Sequence, residues 1–353
     1  MRGMADWITS WIPEEICGGI PGRQADDILS RFDEDLEEAM ENGKLTGASI
    51  DLSKCFDIEA QKASTKAMEH MGLDGNIGGL INRFYGDMDS WFIGRGLVHP
   101  TPVRRKNGLL QGCPFSMVML AASMTVWVWK VKREVPDIRM GVFVDDRLLW
   151  SKSANGVEVV KAALELGKKL DSESARTWNE GKGVCFTTAE EDKEATDLEL
   201  SMAGQMEEEF KYLGAEYDVR AMKRNYEIST KRKDKVKKRL KKNSIIGTTK
   251  EMKLNLIRKM VIPCISWGGQ WRNNKGLDKI AIQIERTALR GKIWPGRSPA
   301  LMWMNVLSYK VHPGFQQDLA AVQFQVRKLR RQTIRGEEKT AQNIGRFKEI
   351  CRK

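Results

Sequence analysis

Two adjacent acids, Asp145 and Asp146, interrupt an apolar stretch that runs from Met140 to Trp150. The segments on either side are short and rich in β-forming residues, which is typical of two strands joined by a tight turn. Burying unpaired carboxylates is very costly. The pair is therefore expected at the tip of a β-hairpin, at a metal site, or at both, although an ordinary surface turn explains most Asp-Asp dipeptides taken alone.

A second acid lies at the end of another predicted strand, 94 residues before Asp145. Residues 45–52 are predicted to form a strand that ends near Asp51, and residues 58–71 a helix closed by Gly72. Only folding can bring Asp51 and Asp145 together. If they meet, they form an all-oxygen site of the kind that Mg²⁺ prefers.

Three more segments have a recognisable pattern. The run GLLQGCPFS (108–116) predicts a turn before a long apolar helix (116–131). The run NEGK (179–182) leads into a predicted strand (183–188), and FKYLG (210–214) begins a predicted hairpin (210–228). Together with the hairpin (139–151) and a helix (156–171), these elements predict an α+β architecture, in which helices cover an antiparallel sheet.

The order DLSKCFD, GLLQGCPFS, FVDD, NEGK and FKYLG resembles the palm of reverse transcriptases, most of all those of non-LTR (LINE-type) retrotransposons. An earlier segment, GIPGRQADD (19–27), resembles the GFxPGRSxxD segment of the same enzymes, and residues 254–271 resemble their thumb. Each motif alone is common, whereas seven in the family's order indicate descent. The resemblance implies an RNA-directed DNA polymerase with partial fingers (1–44), a palm (45–228), a thumb (229–300) and a helical basic extension (301–353).

The resemblance also implies catalytic roles. Asp51 and Asp145 match the metal-binding aspartates, and Asp146 matches the third acid beside the primer end. Lys182 matches the lysine proposed to protonate the departing pyrophosphate. Attack of a 3′-hydroxyl on an α-phosphate requires charge neutralisation and alignment, for which two aspartate-bound Mg²⁺ ions, or Mn²⁺, are suited.

Further positions match residues that contact the substrates. Phe56 matches the bulky residue that blocks a ribose 2′-hydroxyl, and Gln111 and Gly112 match the segment lining nucleotide and template. Arg23 belongs to the PGR segment and is assigned to nucleotide or template binding. The primer grip is assigned to Phe210, Lys211, Tyr212, Leu213 and Gly214. The implied partners are an RNA template, a DNA primer and dNTPs.

The sequence departs from the family's pattern near its start, because only about twenty residues precede Gly22. Most of the fingers, including basic residues that hold the triphosphate, are therefore expected to be missing. The six cysteines and three histidines are scattered, so zinc binding is not expected.

Charge is consistent with a polyanionic partner: the net charge is +12 and the pI is about 9.3. Twelve lysines and arginines lie within residues 220–242. Val236, Leu240 and Ile245 give this segment a thin apolar stripe, which predicts a helix whose Lys235, Lys238 and Lys242 follow the nucleic-acid backbone. A solvated charged helix or a localisation signal are the alternatives. A second basic run covers residues 327–335.

No signal peptide or transmembrane span is predicted, and the scattered cysteines favour an intracellular, reducing compartment. Three alternatives to a retroelement polymerase remain open. They are a viral RNA-dependent RNA polymerase, a group II intron maturase, and a repurposed copy that binds nucleic acid without polymerising.

Overall fold

The computed structural model describes residues 4–105, 107–179, 181–219, 223–224, 230–266, 277–288 and 312–335. They belong to two compact units, Met1–Arg224 and Asn225–Lys353. The four-part division into fingers, palm, thumb and extension stays a prediction.

The first unit contains both helices and strands. Its helices are α1 (Ala5–Trp11), α2 (Ala25–Asn42), α3 (Cys55–Ile58), α4 (Gln61–His70), α5 (Gly75–Gly86), α6 (Pro114–Glu134), α7 (Gly156–Glu173) and α8 (Lys193–Glu199). Its strands are β1 (Thr46–Asp51), β2 (Asp89–Ser90), β3 (Ile93–Gly94), β4 (Leu97–Val98), β5 (Val103–Arg104), β6 (Arg139–Phe143), β7 (Asp146–Ser151), β8 (Val184–Thr187), β9 (Gln205–Met206), β10 (Glu209–Tyr212), β11 (Ala215–Asp218) and β12 (Lys223–Arg224).

The main sheet has five strands in the order β6-β7-β1-β8-β9. The neighbours are antiparallel except for β8 and β9, which are parallel. Strand β1 is central, and its last residue, Asp51, pairs with Asp146, the first residue of β7. The predicted α+β architecture with an antiparallel-dominated sheet is confirmed.

Both faces of this sheet are covered, which explains why β7 is buried from Arg147 to Ser151 rather than at alternate residues. On one face, Arg147 of β7 contacts Trp127 of α6 and Asp171 of α7. On the other, Trp150 packs edge-on against Phe32 of α2. Phe32 is also edge-on to three rings of the neighbouring strands, namely Phe186, Phe210 and Tyr217. The core therefore has three layers, with the sheet in the middle.

Helix α6 continues three residues beyond its predicted end and reaches Glu134. Its 21 residues are long and apolar enough to cross a membrane by length and composition alone, and 61% of its most apolar window is buried inside the protein. Burial of most of this window is what a core helix requires.

Other elements also differ from the predictions. The predicted helix at 58–71 is present as α4 but begins only at Gln61, because Glu59 is not helical and its buried carboxylate pairs with Arg176. The predicted hairpin at 210–228 is a three-stranded sheet. Helices α1 and α2 occupy a region for which no element was predicted. The capping box of Gln24 and Asp27 marks the start of α2.

The second unit is helical where it is described. Its helices are α9 (Thr230–Ile245), α10 (Lys250–Met260), α11 (Ile262–Ser266), α12 (Leu277–Ala288) and α13 (Pro313–Arg335). Val236 and Leu240 of α9 are buried in the core of this unit with Ile257 and Ile284. Ile245, in contrast, is 76% exposed, so the predicted stripe ends at Leu240. Trp267 and Gly268 of the predicted thumb motif, and the side chains of residues 328–335, lie outside the described residues.

Candidate active site

Three acids meet at one end of the main sheet. Asp51 ends β1 directly opposite Asp146, and Asp145 precedes Asp146 in the two-residue turn that joins β6 and β7. All three are partly buried. The structure therefore brings together the three acids that the sequence singled out.

The turn that carries Asp145 has an unusual backbone. Val144 has a φ of 63°, a left-handed conformation that is costly for a β-branched residue. The segment around Gly18 lies against this turn. A Cβ added at Gly18 would lie 2.5 Å from Val144 Cγ2. Residues 15 and 17 also form backbone hydrogen bonds with Val142. Glycine at position 18 thus allows the N-terminal segment to support the strained turn.

A loop segment completes the site from the other side of β1. Asn179 and Lys182 both donate to Oδ2 of Asp51, each at 3.1 Å. The backbone N–H of Asn179 donates to the Asp51 carbonyl at 2.8 Å. The sequence motif included Asn179 without assigning it a role, whereas the structure makes it a direct partner of the predicted metal ligand.

The acids repel one another. Burial, followed by the charges of Asp145 and Asp51, raises the pKa of Asp146 from 3.8 to about 6, while Lys182 opposes this shift. Negative charge at this end of the sheet is therefore only partly compensated. A divalent cation would relieve this repulsion, and three carboxylates are a donor set that Mg²⁺ prefers.

The donor chemistry fits Mg²⁺, but the side chains are not arranged as a complete cation site. Within the described parts of the chain, no three acidic, histidine or cysteine side chains form a group that could hold a metal ion. One oxygen of Asp51 already accepts the Lys182 ammonium. Metal binding by Asp51 and Asp145 accordingly stays a prediction.

The segment predicted to line the substrates lies beside Phe56. Leu109 donates its backbone N–H to the Phe56 carbonyl at 2.6 Å, and Gly108 donates to Glu59 at 2.8 Å. Gly108 has a φ of 94°, and a Cβ there would lie 2.7 Å from the Asp57 carbonyl oxygen. Phe56 is half-buried, whereas Gln111 and Gly112 are exposed in the next turn. Phe56 and this turn thus form adjoining surfaces.

The predicted primer grip is a hairpin whose strands are β10 and β11. Its turn, Leu213-Gly214, has positive φ at both residues, as a type I′ turn requires. Phe210 and Tyr212 are buried, and the Tyr212 hydroxyl donates to the Gly141 carbonyl at 3.3 Å. Lys211 is exposed. The hairpin is therefore anchored on the strands that carry Asp145 and Asp146.

Arg23 has structural contacts. Its guanidinium donates to the carbonyl oxygens of Ile12, Pro13 and Ile16, and so fixes the loop after α1. These three hydrogen bonds are sufficient to explain why an arginine stands at this position, and no bound ligand is needed for that explanation. Nucleotide or template binding by Arg23 stays a prediction.

A buried chain of charges, which the sequence did not reveal, lies beneath the acids. Arg147 is fully buried and donates to both carboxylate oxygens of Asp171, at 2.6 and 3.0 Å. Arg176 pairs with Glu59 at 2.8 Å and lies 3.6 Å from Asp171. Trp178 also donates to Asp171. These ion pairs connect three segments of the site: β7 just after Asp146, the loop just before Asn179, and the segment just after Phe56.

The basic face of α9 lies in the second unit. Lys235, Lys238 and Lys242 line one shallow groove of about 370 Å³ together with Asp234 and Arg239. The three lysines are exposed. The helix therefore presents the predicted lysines together on one surface.

Comparison with known proteins identifies the same architecture. The family model described as "Reverse transcriptase (RNA-dependent DNA polymerase)" matches residues 4–217. No curated protein matches the chain. Among solved structures, apo telomerase from Candida tropicalis is similar, with a TM-score of 0.52 and 11% identity over 97% of this chain and 60% of that one.

Two further telomerase structures match with lower TM-scores. A Candida tropicalis telomerase truncated from its C-terminal domain has a TM-score of 0.48 and 14% identity, over 64% of this chain and 44% of that one. Candida albicans telomerase in complex with a fragment of telomeric RNA has a TM-score of 0.45 and 14% identity, over 93% and 54%. The chain thus spans between 44% and 60% of the length of these three proteins.

The raised pKa of Asp146 predicts an unusual pH dependence of stability. The folded protein holds this proton more tightly than the unfolded chain does, so the ionised carboxyl lowers stability as pH rises from about 4 to about 6. In EDTA, Asp146→Asn should raise the free energy of unfolding at pH 8 by about 1 kcal/mol, after allowance for partial exposure. The gain should vanish near pH 4.

Urea unfolding between pH 4 and pH 8 measures this effect. Two control variants move the pKa of Asp146 in opposite directions: Asp145→Asn should lower it, and Lys182→Met should raise it further. If the unfolding free energies of wild type and Asp146→Asn change with pH in parallel across this range, the pKa of Asp146 is the same in the folded and unfolded states, and the prediction is wrong.

The buried charges predict unequal effects of substitution. Asp171→Asn leaves the fully buried Arg147 without an anion and should destabilise the protein by about 3 kcal/mol. Arg147→Met should cost less, because Asp171 keeps Arg176 and Trp178. The matched control is Glu134→Gln, which breaks an exposed pair with Lys130 and should cost less than about 1 kcal/mol. An Asp171→Asn protein as stable as this control would refute the role of the network.

Proposed function

Because this chain belongs to the reverse transcriptase family, we propose that it is an RNA-directed DNA polymerase of the non-LTR retrotransposon type. The observation that carries the proposal is the placement of Asp51 opposite Asp146, beside Asp145. The motif order from DLSKCFD to FKYLG supports the retrotransposon subtype. The proposed partners are an RNA template, a DNA primer and dNTPs.

In the proposed reaction, the primer 3′-hydroxyl attacks the α-phosphate of a dNTP and pyrophosphate departs. Asp51 and Asp145 would hold Mg²⁺, which when bound neutralises charge on the attacking and leaving oxygens. Asp146 adds a third negative charge beside the primer end, and its pKa of about 6 leaves it mostly ionised above neutral pH. The acids thus supply the charge that a cation-dependent phosphoryl transfer requires.

Lys182 has two proposed positions in this cycle. In the structure its ammonium group neutralises Asp51 at 3.1 Å. A cation on Asp51 would compete with this pair and release the lysine, whose side chain is 65% exposed. The released ammonium group is then available to donate a proton to the departing pyrophosphate.

Phe56 and the turn at Gln111–Gly112 are proposed to select and align the nucleotide. Phe56 is held from both sides: α3 carries it, and its carbonyl accepts from Leu109. A rigid ring at this place excludes a ribose 2′-hydroxyl by contact rather than by charge. The exposed turn that follows offers its backbone to the nucleotide and template.

The second candidate function is nucleic-acid binding without polymerisation. The observation that favours it is the pairing of Lys182 with Asp51 in place of a complete three-ligand group within the described residues. The basic face of α9 would serve binding in either case. Extension and binding assays on the same protein therefore separate the two functions.

Primer extension on poly(rA)/oligo(dT) with Mg²⁺ tests the proposed activity. Wild type should extend the primer, and Asp145→Asn should lower the rate by at least about a hundredfold while duplex binding persists, because the acid serves the chemistry more than the grip. The matched control is Asp137→Asn, an exposed acid just before β6, which should leave the rate unchanged. Wild type that binds but never extends supports the second candidate.

The same assay with ribonucleotides tests the alternative of an RNA polymerase. Phe56→Ala should raise UTP incorporation relative to dTTP, because the wall against the 2′-hydroxyl is gone. Phe56→Tyr keeps the ring and should retain the selectivity of wild type. A parallel loss of both activities in Phe56→Ala would make Phe56 a packing residue.

The proposed role of α9 predicts salt-dependent binding. Because each lysine at a phosphate releases a counterion, replacing Lys235, Lys238 and Lys242 by Gln should weaken binding to an RNA–DNA duplex. The slope of log K against log salt should flatten by about 2 to 3. The control replaces Lys130 and Lys132 of α6 and should leave the slope unchanged. An unaltered slope in the α9 variant would exclude the helix from binding.

A further inference from the structure

A β-ribbon on the first unit has no role in the reaction described above. Residues 89–105, named here the arm, form two strand pairs: β2 pairs with β5, and β3 pairs with β4. Arg95 and Gly96 turn the ribbon, both with positive φ, and His99 donates its backbone N–H to Phe92. From Trp91 to Thr101 every residue is exposed. The arm is therefore an ordered ribbon surrounded by solvent.

Two aromatic rings on the arm have free faces. Trp91 is 51% exposed and Phe92 is 62% exposed, and neither ring stacks on another aromatic ring among the described residues. Trp91 and Phe92 are adjacent in the segment between β2 and β3, so the arm exposes both rings at one place along its length. Large exposed rings in a soluble protein mark a surface that meets a ligand or partner.

The aliphatic residues of the arm have a separate explanation. Ile93 and Val98 are directly opposite each other across the ribbon, as are Gly94 and Leu97. Cross-strand apolar pairs stabilise a two-stranded ribbon, which is otherwise marginal in water. The aliphatic side chains thus maintain the ribbon, whereas the rings of Trp91 and Phe92 are left for a ligand.

Positive charge predominates on the arm. Arg95, Arg104 and Arg105 are exposed, and the sequence contains no acid between Asp89 and Glu134. Asp89 pairs with Arg104 at 2.8 Å, but this pair is exposed and a phosphate can compete for it. A surface of exposed rings and arginines, on which the acid Asp89 is paired with Arg104, is complementary to a polyanion that carries flat bases.

We propose that the arm is a binding site for single-stranded nucleic acid, in which bases stack on Trp91 and Phe92 and phosphates lie against Arg95 and Arg105. Stacking on aromatic side chains with cations along the backbone is how proteins hold single strands without reading sequence. Gly108 and Leu109 follow the arm closely in sequence, and their backbone N–H groups donate to the carbonyl oxygens of Glu59 and Phe56. The arm therefore extends from the proposed substrate turn.

This site is independent of polymerisation, so it is tested without dNTPs or metal. The full chain is used with Lys235, Lys238 and Lys242 replaced by Gln, which reduces the contribution of α9. Fluorescein-labelled 20-nucleotide oligo(U) and oligo(dT) are titrated by fluorescence anisotropy at several salt concentrations. Binding of both probes would show that the site recognises the bases and phosphates that RNA and DNA have in common. Binding of oligo(U) alone would show that the site is specific for RNA.

Ring and charge variants have different signatures. Trp91→Leu combined with Phe92→Leu should weaken binding about tenfold or more with little change in the salt slope, because stacking is lost and charge is kept. Trp91→Phe should retain most of the affinity. Arg95→Gln combined with Arg105→Gln should weaken binding and flatten the slope by about 1 to 1.5. The matched control, Trp129→Leu, removes a ring of similar exposure on α6 and should have no effect.

Two results would overturn the proposal. Leucine variants that bind both probes as tightly as their parent would exclude the rings from the site. Loss of self-association in sedimentation, without loss of probe binding, would assign the arm to a second copy of this chain. Should the leucine variant fail to fold, the arginine variant decides the question by the same anisotropy titration, because its two side chains are exposed and an unchanged salt slope would also refute the site.

Discussion

The buried pairs among Arg147, Asp171, Arg176 and Glu59 are the interaction on which the candidate active site depends. Four charges are removed from water, and the cost is offset only while every partner is in place. The partners come from β7, the end of α7, the loop after it and the segment between α3 and α4. Displacing any one of these segments exposes an unpaired charge, so their positions are coupled.

This coupling explains how acids that repel one another stay close. Asp146 is adjacent to Arg147, which is fixed by Asp171, and Asn179 follows Arg176 and Trp178 in the loop that reaches Asp51. The same segments determine where Phe56 lies, because Glu59 holds the chain after α3. The buried ion pairs thus hold the three acids of the site close together, although none of those acids is a member of a buried pair.

The sequence predicted the elements whose signal is local. The acids within an apolar run predicted the hairpin of β6 and β7, and the short segment before Asp51 predicted β1 to within a residue at each end. Features set by distant partners were missed. Glu59 interrupts a predicted helix because it pairs with Arg176, 117 positions later, and nothing near Arg147 indicates that Asp171 neutralises it.

Arg23 has a motif position, but its bonds to three nearby carbonyls are visible only in the fold. Ile245 continues the apolar stripe of α9 in sequence yet is exposed, since the helix ends there.

We propose that Asp51 and Asp145 form a cation site in which the Lys182 ammonium group pairs with Asp51 until a cation binds. Titration with Mn²⁺, followed by the electron paramagnetic resonance signal of the free ion, measures this directly. The account predicts binding at pH 8 that weakens toward pH 6, where Asp146 takes up a proton. It also predicts loss of binding in Asp51→Asn and in Asp145→Asn, and tighter binding in Lys182→Met, because the competing ammonium group is gone. If Mn²⁺ binding is unchanged in both asparagine variants, or absent from the wild type at pH 8, then Asp51 and Asp145 do not form a cation site.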